Sequence, residues 1–414
     1  MNVRQRALEA KAAARILARQ SRARKDAALG AIADALLAER AGIEAANDED
    51  VRRARASGLS SALVERLVLS GERIAALARS VLHVAGLPDP VGSRGPMQRT
   101  AAGLSIGKQR LPLGLVAIIY ESRPNVTVDA AALTLKSGNA VLLRGGKEAA
   151  STNRVLVDIM RRALLDRDLP EAAISFIPAG DREEIRELCG LTELVDLAIP
   201  RGGEGLIRFV SEVARVPVIK HYKGVCHLYL DESAELDMAL GLTLNGKVQR
   251  PGVCNALECL LVHHQAAPRL LPEIARALLA EGVELRACER ARALVPAARA
   301  ATADDFGAEF LDKILAMRVV DDLDAALLHV ERYGSNHTEA ICTNQLDHAE
   351  RWLAEVDASC VVVNASTRFN DGGELGLGAE MGISTSKLHA YGPMGLESLT
   401  TEKWIVLGQG QVRS

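Results

Sequence analysis

One cysteine of this sequence stands where a thiol could react. Cys254 follows Pro251 and Gly252 in the stretch QRPGVCNALECLLVHH, and an apolar run over residues 257–262 begins only after it. A tight turn at Gly252 would leave the thiol exposed, which a nucleophilic thiolate requires. The backbone N–H of the same residue could then bind the oxygen of an attacked carbonyl, as one half of an oxyanion hole. The pattern therefore makes Cys254 a candidate nucleophile.

The alternative interpretation is that this cysteine is a small core residue. Cys259 and Cys360 fit that description better, because both lie inside apolar runs. The chain contains seven cysteines and no CxxC pair, which favours free thiols in a reducing compartment, and hence the cytoplasm, over a disulfide framework or a zinc knuckle.

Three short motifs match catalytic or cofactor-binding signatures but lack the sequence context that each signature requires. GLSIG, residues 103–107, matches a nucleophile elbow without the required strand and helix, and STSK, residues 384–387, has no KTG partner. The glycines of GELGLGAEMG follow no βαβ opening strand, so they are not a dinucleotide-binding fingerprint. The adjacent His263 and His264 and the stretch HYKGVCH, residues 221–227, lack a helical ligand pair, so we predict no metal site.

The composition limits the classes of protein to which the chain could belong. Its 414 residues are 48% hydrophobic and carry a net charge of −3, which suits two or more packed domains without a basic surface for nucleic acid. Aromatic residues make up only 3%, which argues further against base stacking. No apolar stretch reaches the roughly 18 residues that a membrane helix needs.

The elements that would position Cys254 follow from the periodicity. Helical spacing dominates the first 85 residues, and the stretch RTAAGLSIGKQRLPLG then alternates as an exposed hairpin would. From residue 115 onward, short apolar runs (LVAIIY, AVLLRG, AISFIP, LVDLAIP and PVIKH) alternate with helical segments, which predicts a parallel sheet built from βαβ units. A second α/β stretch follows from about residue 231, and the tail TTEKWIVLGQGQVRS reads as a strand that pairs with the hairpin of another subunit.

A parallel sheet binds ligands at the carboxyl ends of its strands. The loops expected there are ESRPN, RGGKEA, PAGD and PRGGEG, which are rich in Gly, Arg and Lys. This composition suits a cofactor that bears phosphate groups, and it places Gly202 and Gly203 among the candidate cofactor-binding residues.

Long blocks of the sequence resemble the γ-glutamyl phosphate reductase family of the aldehyde dehydrogenase superfamily. The resemblance extends from about residue 7 to residue 413, and its most specific blocks are YESRPNVTVDAAALTLKSGNAVLLRGG, IPRGG, QRPGVCNALE, YGSNHTEAI, VNASTRFNDGGELGLGAEMGISTSKLHA and GPMGLESLTT. It implies an α/β fold of the aldehyde dehydrogenase type. The domains would be a nucleotide-binding domain (1–98 and 113–230), a catalytic domain (231–365), an oligomerisation hairpin and tail (99–112 and 395–414), and a Gly-rich loop with a return segment (366–394).

The resemblance also implies a reaction and the residues that perform it. L-Glutamyl 5-phosphate would be reduced by NADPH to L-glutamate 5-semialdehyde and phosphate, the second step of proline synthesis. Cys254 matches the superfamily nucleophile, and Asn125 matches the residue whose amide completes the oxyanion hole. Arg144 and Lys147 would meet the 2′-phosphate of NADPH. The family further implies a homo-oligomer, with glutamate 5-kinase as a candidate partner.

Two alternatives remain open at this stage. The chain could be an oxidising dehydrogenase of another small semialdehyde, although HYKGVCH lacks the carboxylate that would activate water ahead of the nucleophile. It could also be a catalytically inactive partner of the kinase. Three positions depart from the reductase pattern, Gly246, Cys259 and Tyr391, where Ala, Thr and Arg respectively would be expected.

Overall fold

The structure, a computed structural model, describes residues 2–413. The chain divides into two compact units. The first contains the residues up to 220, residues 377–382 and the residues from 394 onward, and the second contains residues 221–376 and 383–393.

The first unit begins with a block of helices, as the periodicity predicts. Asn2, Ser21, Ser60 and Ser70 each accept a hydrogen bond from a backbone N–H of the first turn, which is why four of these helices start where they do. The helices are α1 (Val3–Leu17), α2 (Arg22–Ala38), α3 (Arg40–Ala56), α4 (Ser61–Leu67) and α5 (Gly71–Gly86). The predicted hairpin follows as β1 (Gln98–Arg99) and β2 (Ser105–Pro112), which pair antiparallel.

A four-stranded parallel sheet forms the centre of the first unit. From one edge to the other, its strands are β5 (Ile174–Phe176), β4 (Ala140–Arg144), β3 (Leu115–Tyr120) and β6 (Leu197–Arg201). Every residue of β3 and β4 is buried, as expected for a sheet covered on both faces. The elements in chain order are β3 (Leu115–Tyr120), α6 (Pro124–Lys136), β4 (Ala140–Arg144), α7 (Ala150–Leu165), β5 (Ile174–Phe176), α8 (Arg182–Gly190), β6 (Leu197–Arg201) and α9 (Glu204–Val213). The run PVIKH forms only an isolated bridge, between Val218 and Ala198, because Pro217 has no N–H with which to extend a ladder.

A seven-stranded parallel sheet forms the centre of the second unit. From one edge to the other, its strands are β10 (Arg299–Ala300), β9 (Glu284–Ala287), β11 (Ile314–Val320), β8 (Leu257–His263), β7 (Cys226–Leu230), β12 (Thr338–Cys342) and β13 (Cys360–Val363). The helices that cover it bury apolar faces against Leu, Ile and Val side chains of its strands. The elements up to the middle of the unit are β7 (Cys226–Leu230), α10 (Leu236–Val248), β8 (Leu257–His263), α11 (Ala267–Ala280), β9 (Glu284–Ala287), α12 (Glu289–Leu294) and β10 (Arg299–Ala300). The remaining ones are β11 (Ile314–Val320), α13 (Leu323–Tyr333), β12 (Thr338–Cys342), α14 (Leu346–Glu355), β13 (Cys360–Val363), β14 (Ile383–Ser384) and β15 (Gly392–Pro393).

The tail strand β16 (Thr400–Leu407) pairs antiparallel with β2 of its own chain along its whole length, from Thr400 opposite Pro112 to Leu407 opposite Ser105. The prediction that it would pair with the hairpin of another subunit is therefore wrong. Strand alternation indicates that a segment is a strand but does not indicate which edge it joins.

The division between the units falls ten residues before the predicted boundary at residue 230. β7 hydrogen-bonds to β8 and β12, so these residues form part of the second sheet. None of the helices within residues 2–413 combines the length and apolar character that crossing a bilayer requires.

Candidate active site

Cys254 lies in the turn that joins α10 to β8, at the amino end of the strand. The N–H of Ala256 donates to the carbonyl of Val253 at 3.1 Å and closes this turn. Cys254 is partly exposed, whereas Cys259 inside β8 is fully buried. The structure therefore places the two cysteines as the sequence pattern predicts, one accessible and one in the core.

The segment HYKGVCH packs directly against the backbone of Cys254. A Cβ atom on Gly224 would lie 2.0 Å from the carbonyl oxygen of Cys254, so only glycine fits this approach. Cys226 donates its thiol to the same carbonyl at 3.1 Å. The N–H of Gly224 donates to Glu309 at 2.9 Å. The segment itself has no carboxylate, as predicted, but the fold brings Glu309 to it from a distant part of the chain.

Residues 249–256, called the nucleophile turn because they contain the candidate nucleophile Cys254, have a buried ion pair at their two ends. Lys247 in the last turn of α10 and Glu258 in β8 are almost completely buried, and Nζ donates to Oε2 at 2.5 Å. The other carboxylate oxygen accepts from the N–H of Leu311 at 3.2 Å. Burial raises the pKa of Glu258 to about 7, although the ammonium of Lys247 opposes this rise.

Residues 366–371, which follow β13, form a second loop beside the nucleophile turn. Asn255 donates to the carbonyls of Arg368 at 3.4 Å and Asn370 at 2.9 Å. Nε of Arg368 donates to Oε1 of Gln249 at 2.8 Å. Arg250 is the next residue along the turn, and both its charge and the thiol of Cys254 act electrostatically on the Arg368 guanidinium.

Most of the other thiols lie in surroundings that suppress ionisation. Burial raises the pKa of Cys226 well above its usual range, and the carboxylate of Glu339 raises it further. Burial also raises the pKa of Cys189 and Cys342 to about 11 and that of Cys360 above its ordinary value. Since the thiolate is the reactive form, these four thiols are poor candidates for the nucleophile.

Asn125 lies in the first turn of α6, directly after the loop that follows β3 of the first unit. Its Nδ2 donates to Oδ2 of Asp129 at 3.1 Å, one helical turn later, which fixes the orientation of the amide. Burial raises the pKa of Asp129, while the hydrogen bonds from Asn125 and Ser80 lower it.

The carboxyl ends of β3 and β6 carry two of the loops that the sequence predicts, ESRPN and the Gly-rich PRGGEG. Oε2 of Glu121 accepts from the N–H of Gly203 at 3.1 Å, and a Cβ atom on Gly202 would lie 2.5 Å from that oxygen. Gly203 immediately precedes α9, so the positive end of this helix dipole opens at the same edge. Both glycines are exposed.

The two cationic cofactor candidates differ in their environments. The side chain of Lys147 is exposed at the start of a short 3₁₀ helix. Arg144 is 8% exposed, and its terminal nitrogens donate to the carbonyls of Gly145, Gly180 and Asp181 at 3.2–3.4 Å. Its buried Nε has no partner among the described residues. Arg144 therefore fastens the loop after β5, while Lys147 is accessible to a ligand.

A buried cluster that the sequence did not predict involves β7, β8 and α13. Nitrogen and sulfur atoms of His227, Cys259 and His329 lie within 4.8 Å of one another, a spacing that could hold a metal ion. Arg318 lies 3.2 Å from Nδ1 of His329 and can only donate, so the proton of that neutral imidazole belongs on Nε2, which faces Cys259 at 3.6 Å. A protonated Nε2 cannot coordinate a metal, and this pattern favours a hydrogen-bonded packing network.

Sequence reasoning missed the groups that surround the nucleophile turn: Lys247, Arg250, Glu258, Glu309 and Arg368. Arg250 and Arg368 both lie within blocks that resemble the reductase family, and that was the available signal. The pairing of residues more than a hundred positions apart depends on the order of the strands, which periodicity does not reveal.

Comparisons with known proteins identify the family to which the chain belongs. The model of the aldehyde dehydrogenase family matches residues 1–286. Over 409 residues, the chain is 62% identical to the gamma-glutamyl phosphate reductase of Sorangium cellulosum (strain So ce56), covering 98% of this chain and 96% of that protein. The crystal structure of gamma-glutamyl phosphate reductase from Thermotoga maritima is 44% identical over 100% of both chains, with a TM-score of 0.98.

A more distant structure shows the fold alone. An engineered glycolyl-CoA reductase with bound NADP⁺ is 15% identical, covers 98% of this chain and 96% of its own, and superimposes with a TM-score of 0.69. The family resemblance and the fold class predicted from the sequence are confirmed. The chain belongs to the aldehyde dehydrogenase family and, within it, to the gamma-glutamyl phosphate reductases, oxidoreductases of proline biosynthesis.

Proposed function

We propose that this chain reduces L-glutamyl 5-phosphate to L-glutamate 5-semialdehyde and phosphate through a thioester on Cys254. The observation that carries the proposal is a partly exposed cysteine, whose backbone Gly224 approaches as only a glycine can, in a chain with full-length reductase relatives. The thiolate attacks the acyl carbon, and the carbon–oxygen bond to phosphate breaks. Hydride then reduces the thioester to a thiohemiacetal anion, which collapses to the aldehyde and restores the thiolate.

Two donors stabilise the anionic oxygen in both steps of this mechanism. They are the backbone N–H of Cys254 and the side-chain amide of Asn125. Each such donor contributes about 3 kcal/mol to the stability of a transition state. The hydrogen bond from Asn125 to Asp129 supports this role, because it holds the amide in one orientation before substrate arrives.

The family uses a nicotinamide cofactor, which supplies the hydride. We propose NADPH, bound at the carboxyl edge of the first sheet with Gly202 and Gly203 lining the loop. The exposed ammonium of Lys147 meets the 2′-phosphate. Arg144 shapes the loop through its carbonyl contacts, and its partnerless Nε remains a donor for the cofactor.

The central test runs the reaction in reverse with glutamate semialdehyde, NADP⁺ and phosphate. NADPH should form only when phosphate is present, and Cys254→Ala should abolish it while the circular dichroism spectrum is retained. Cys288→Ala is the matched control, since Cys288 is another partly exposed thiol, and it should retain full activity. An active Cys254→Ala variant would refute the nucleophile.

One observation favours the alternative function, an aldehyde dehydrogenase that oxidises a semialdehyde to the free acid. The carboxylate of Glu309 accepts from the N–H of Gly224, in the segment that packs against Cys254, and could activate a water molecule there. Turnover that needs no phosphate and yields free glutamate would establish hydrolysis of the thioester and overturn the reductase proposal. The loss of that turnover in Glu309→Gln would then identify the base.

The cofactor proposal is tested by the KM values of two cofactors. Lys147→Ala should raise the KM for NADPH by about tenfold and leave the KM for NADH unchanged, because only NADPH carries the 2′-phosphate. Arg144→Ala should raise both KM values, since it releases the loop that both cofactors contact. If Lys147→Ala raises the KM values for NADPH and NADH by the same factor, the assignment of Lys147 to the 2′-phosphate is contradicted.

The three-stranded sheet of β1, β2 and β16 is the proposed oligomerisation element. Trp404 and Val406 occupy alternate positions of β16 and are 65% and 56% exposed, so they present apolar surface on one face. Exposed apolar surface of this kind is typical of interaction sites.

We place the enzyme in the cytoplasm, in keeping with its free thiols, and glutamate 5-kinase remains a candidate partner.

A further inference from the structure

Two arginines on different loops act on each other electrostatically beside the turn that carries Cys254. Arg250 occupies the turn that carries Cys254, and Arg368 occupies the short 3₁₀ helix Thr367–Phe369 that follows β13. Nε of Arg368 contacts Gln249, the immediate neighbour of Arg250. Neighbouring cationic groups repel each other, so an arrangement that holds two of them together favours binding of an anion.

Hydrogen bonds hold the Arg368 loop against the turn before any ligand binds. Asn255 fastens it through the carbonyls of Arg368 and Asn370. The fully buried Asn370 in turn donates to Oγ1 of Thr338 at 2.8 Å, which fixes the loop to the start of β12. Ser366 accepts from the N–H of Arg368 at 3.3 Å and caps the short helix. The guanidinium is therefore preorganised relative to the thiol, as an anion site requires.

The electrostatics agree with the geometry. Partial burial and the neighbouring Arg250 lower the pKa of Arg368, while Asp371, Cys254 and Cys226 raise it. The guanidinium thus interacts electrostatically with the nucleophilic thiol. A dianion placed between the two arginines would replace the repulsion between them with attraction.

We propose that Arg250 and Arg368 together bind the phosphate group of the acyl phosphate and hold it as it leaves. This inference rests on the function proposed above. In the step concerned, the bond from sulfur to the acyl carbon forms and the bond from that carbon to the phosphate oxygen breaks. The electron pair leaves with the phosphate, no group is oxidised, and negative charge accumulates on the departing oxygen.

The position of the pair favours phosphate over the amino-acid end of the substrate. The phosphate is bonded directly to the carbon that Cys254 attacks, whereas the α-carboxylate lies at the far end of the side chain. Arginine also matches the oxygens of phosphate in a bidentate manner, which gives direction as well as charge. Because charge grows on the phosphate during the step, the pair stabilises the transition state more than the bound substrate.

The reverse reaction provides the test, with inorganic phosphate as the probe. Arg250→Gln and Arg368→Gln should each raise the KM for phosphate by roughly 10- to 100-fold, the loss expected for a hydrogen bond to a charged group. The KM for glutamate semialdehyde should change less than twofold. Arg292→Gln is the matched control, because Arg292 is exposed on α12, which follows the carboxyl end of β9, and it should change neither value.

A phosphate-free burst separates this inference from the proposed function. Mixing enzyme, aldehyde and NADP⁺ without phosphate should form one NADPH per active site, as the thioester accumulates on Cys254. If the wild-type enzyme gives no burst, or turns over fully without phosphate, the proposed function fails. If the wild-type burst is normal but the KM for phosphate stays unchanged in both Gln variants, the arginine pair is refuted.

Two further outcomes are also decisive. A rise in the KM for the aldehyde alone would show that the pair binds the amino-acid end, and would overturn the assignment to phosphate. Should Arg368→Gln unfold because Gln249 loses its partner, Arg250→Gln carries the same test. The side chain of Arg250 is exposed and makes none of the contacts that fasten the loop.

Discussion

Replacing Lys247 by Met should destabilise the second unit strongly, and more at high pH than at low pH. Lys247 and Glu258 are 0% and 1% exposed and lie 2.5 Å apart, so the change leaves a buried carboxylate without its counter-charge. Breaking one partner of a buried pair costs about 3–5 kcal/mol. Methionine approximates the length of the lysine side chain, which limits any contribution from a cavity.

The pH dependence follows from the carboxyl group. Burial already raises the pKa of Glu258 from 4.5 to about 7 in the presence of Lys247, which opposes the rise. Without the ammonium the pKa rises further. A group whose pKa is higher in the folded state contributes stability below its unfolded pKa and loses it as the pH passes the folded value. The penalty of Lys247→Met should therefore be smaller at pH 5.5 than at pH 8.5, and should grow as the pH rises above 7.

Urea unfolding followed by circular dichroism at these two pH values measures the effect. The double variant Lys247→Met with Glu258→Gln is the control, because Gln removes the charge and keeps an acceptor for the N–H of Leu311. It should recover most of the loss and show little change between the two pH values. A cost below about 1 kcal/mol for the single variant at pH 8.5 would refute the reasoning, given the usual magnitude. A double variant as unstable as the single one would refute it as well.

Two further predictions concern the other unit. Asn125→Ala should lower kcat by about 10²- to 10³-fold with little change in the KM for NADP⁺, as expected for the loss of one oxyanion donor; a loss confined to KM would reject that role. Trp404→Glu should shift the protein to smaller species in sedimentation velocity, because it places a charge on the exposed apolar face of β16; an unchanged sedimentation coefficient would exclude this face from the interface.

The sequence predicts local features of this molecule better than distant pairings. The buried strand over residues 115–120 and the partly exposed turn at Cys254 follow from patterns a few residues long, and the structure has both. The partner of β16 lies almost 300 residues earlier in the chain, and its alternation gave no information about that partner. Arg368 is likewise 114 positions from Cys254, and only the folded loops bring them together. Such contacts depend on sheet order, which local propensity does not encode.

The amino end of β8 is an unusual position for a reactive residue in a parallel α/β sheet, where ligands bind at the carboxyl ends of strands. The Gly-rich loops of the first sheet follow that rule. In the second sheet, the corresponding edge contains Asp231, whose oxygens accept from Ser233 and Thr343 at 2.7 and 2.8 Å and contact His348 at 2.9 Å. Burial raises the pKa of Asp231, but these hydrogen bonds outweigh burial and lower the pKa overall. The hydrogen-bonding groups of Asp231 at this edge are therefore already occupied by neighbouring side chains.

The amino end offers what the reaction needs instead. A residue in a turn that precedes a strand keeps its backbone N–H outside the ladder, so the amide of Cys254 can serve the oxyanion while its thiol attacks. The fold-level rule thus predicts the proposed cofactor edge of the first sheet but not the position of the proposed nucleophile in the second. The proposal that the nucleophile lies at this end depends instead on the chemistry of a single residue, a cysteine in a partly exposed turn that precedes a buried strand.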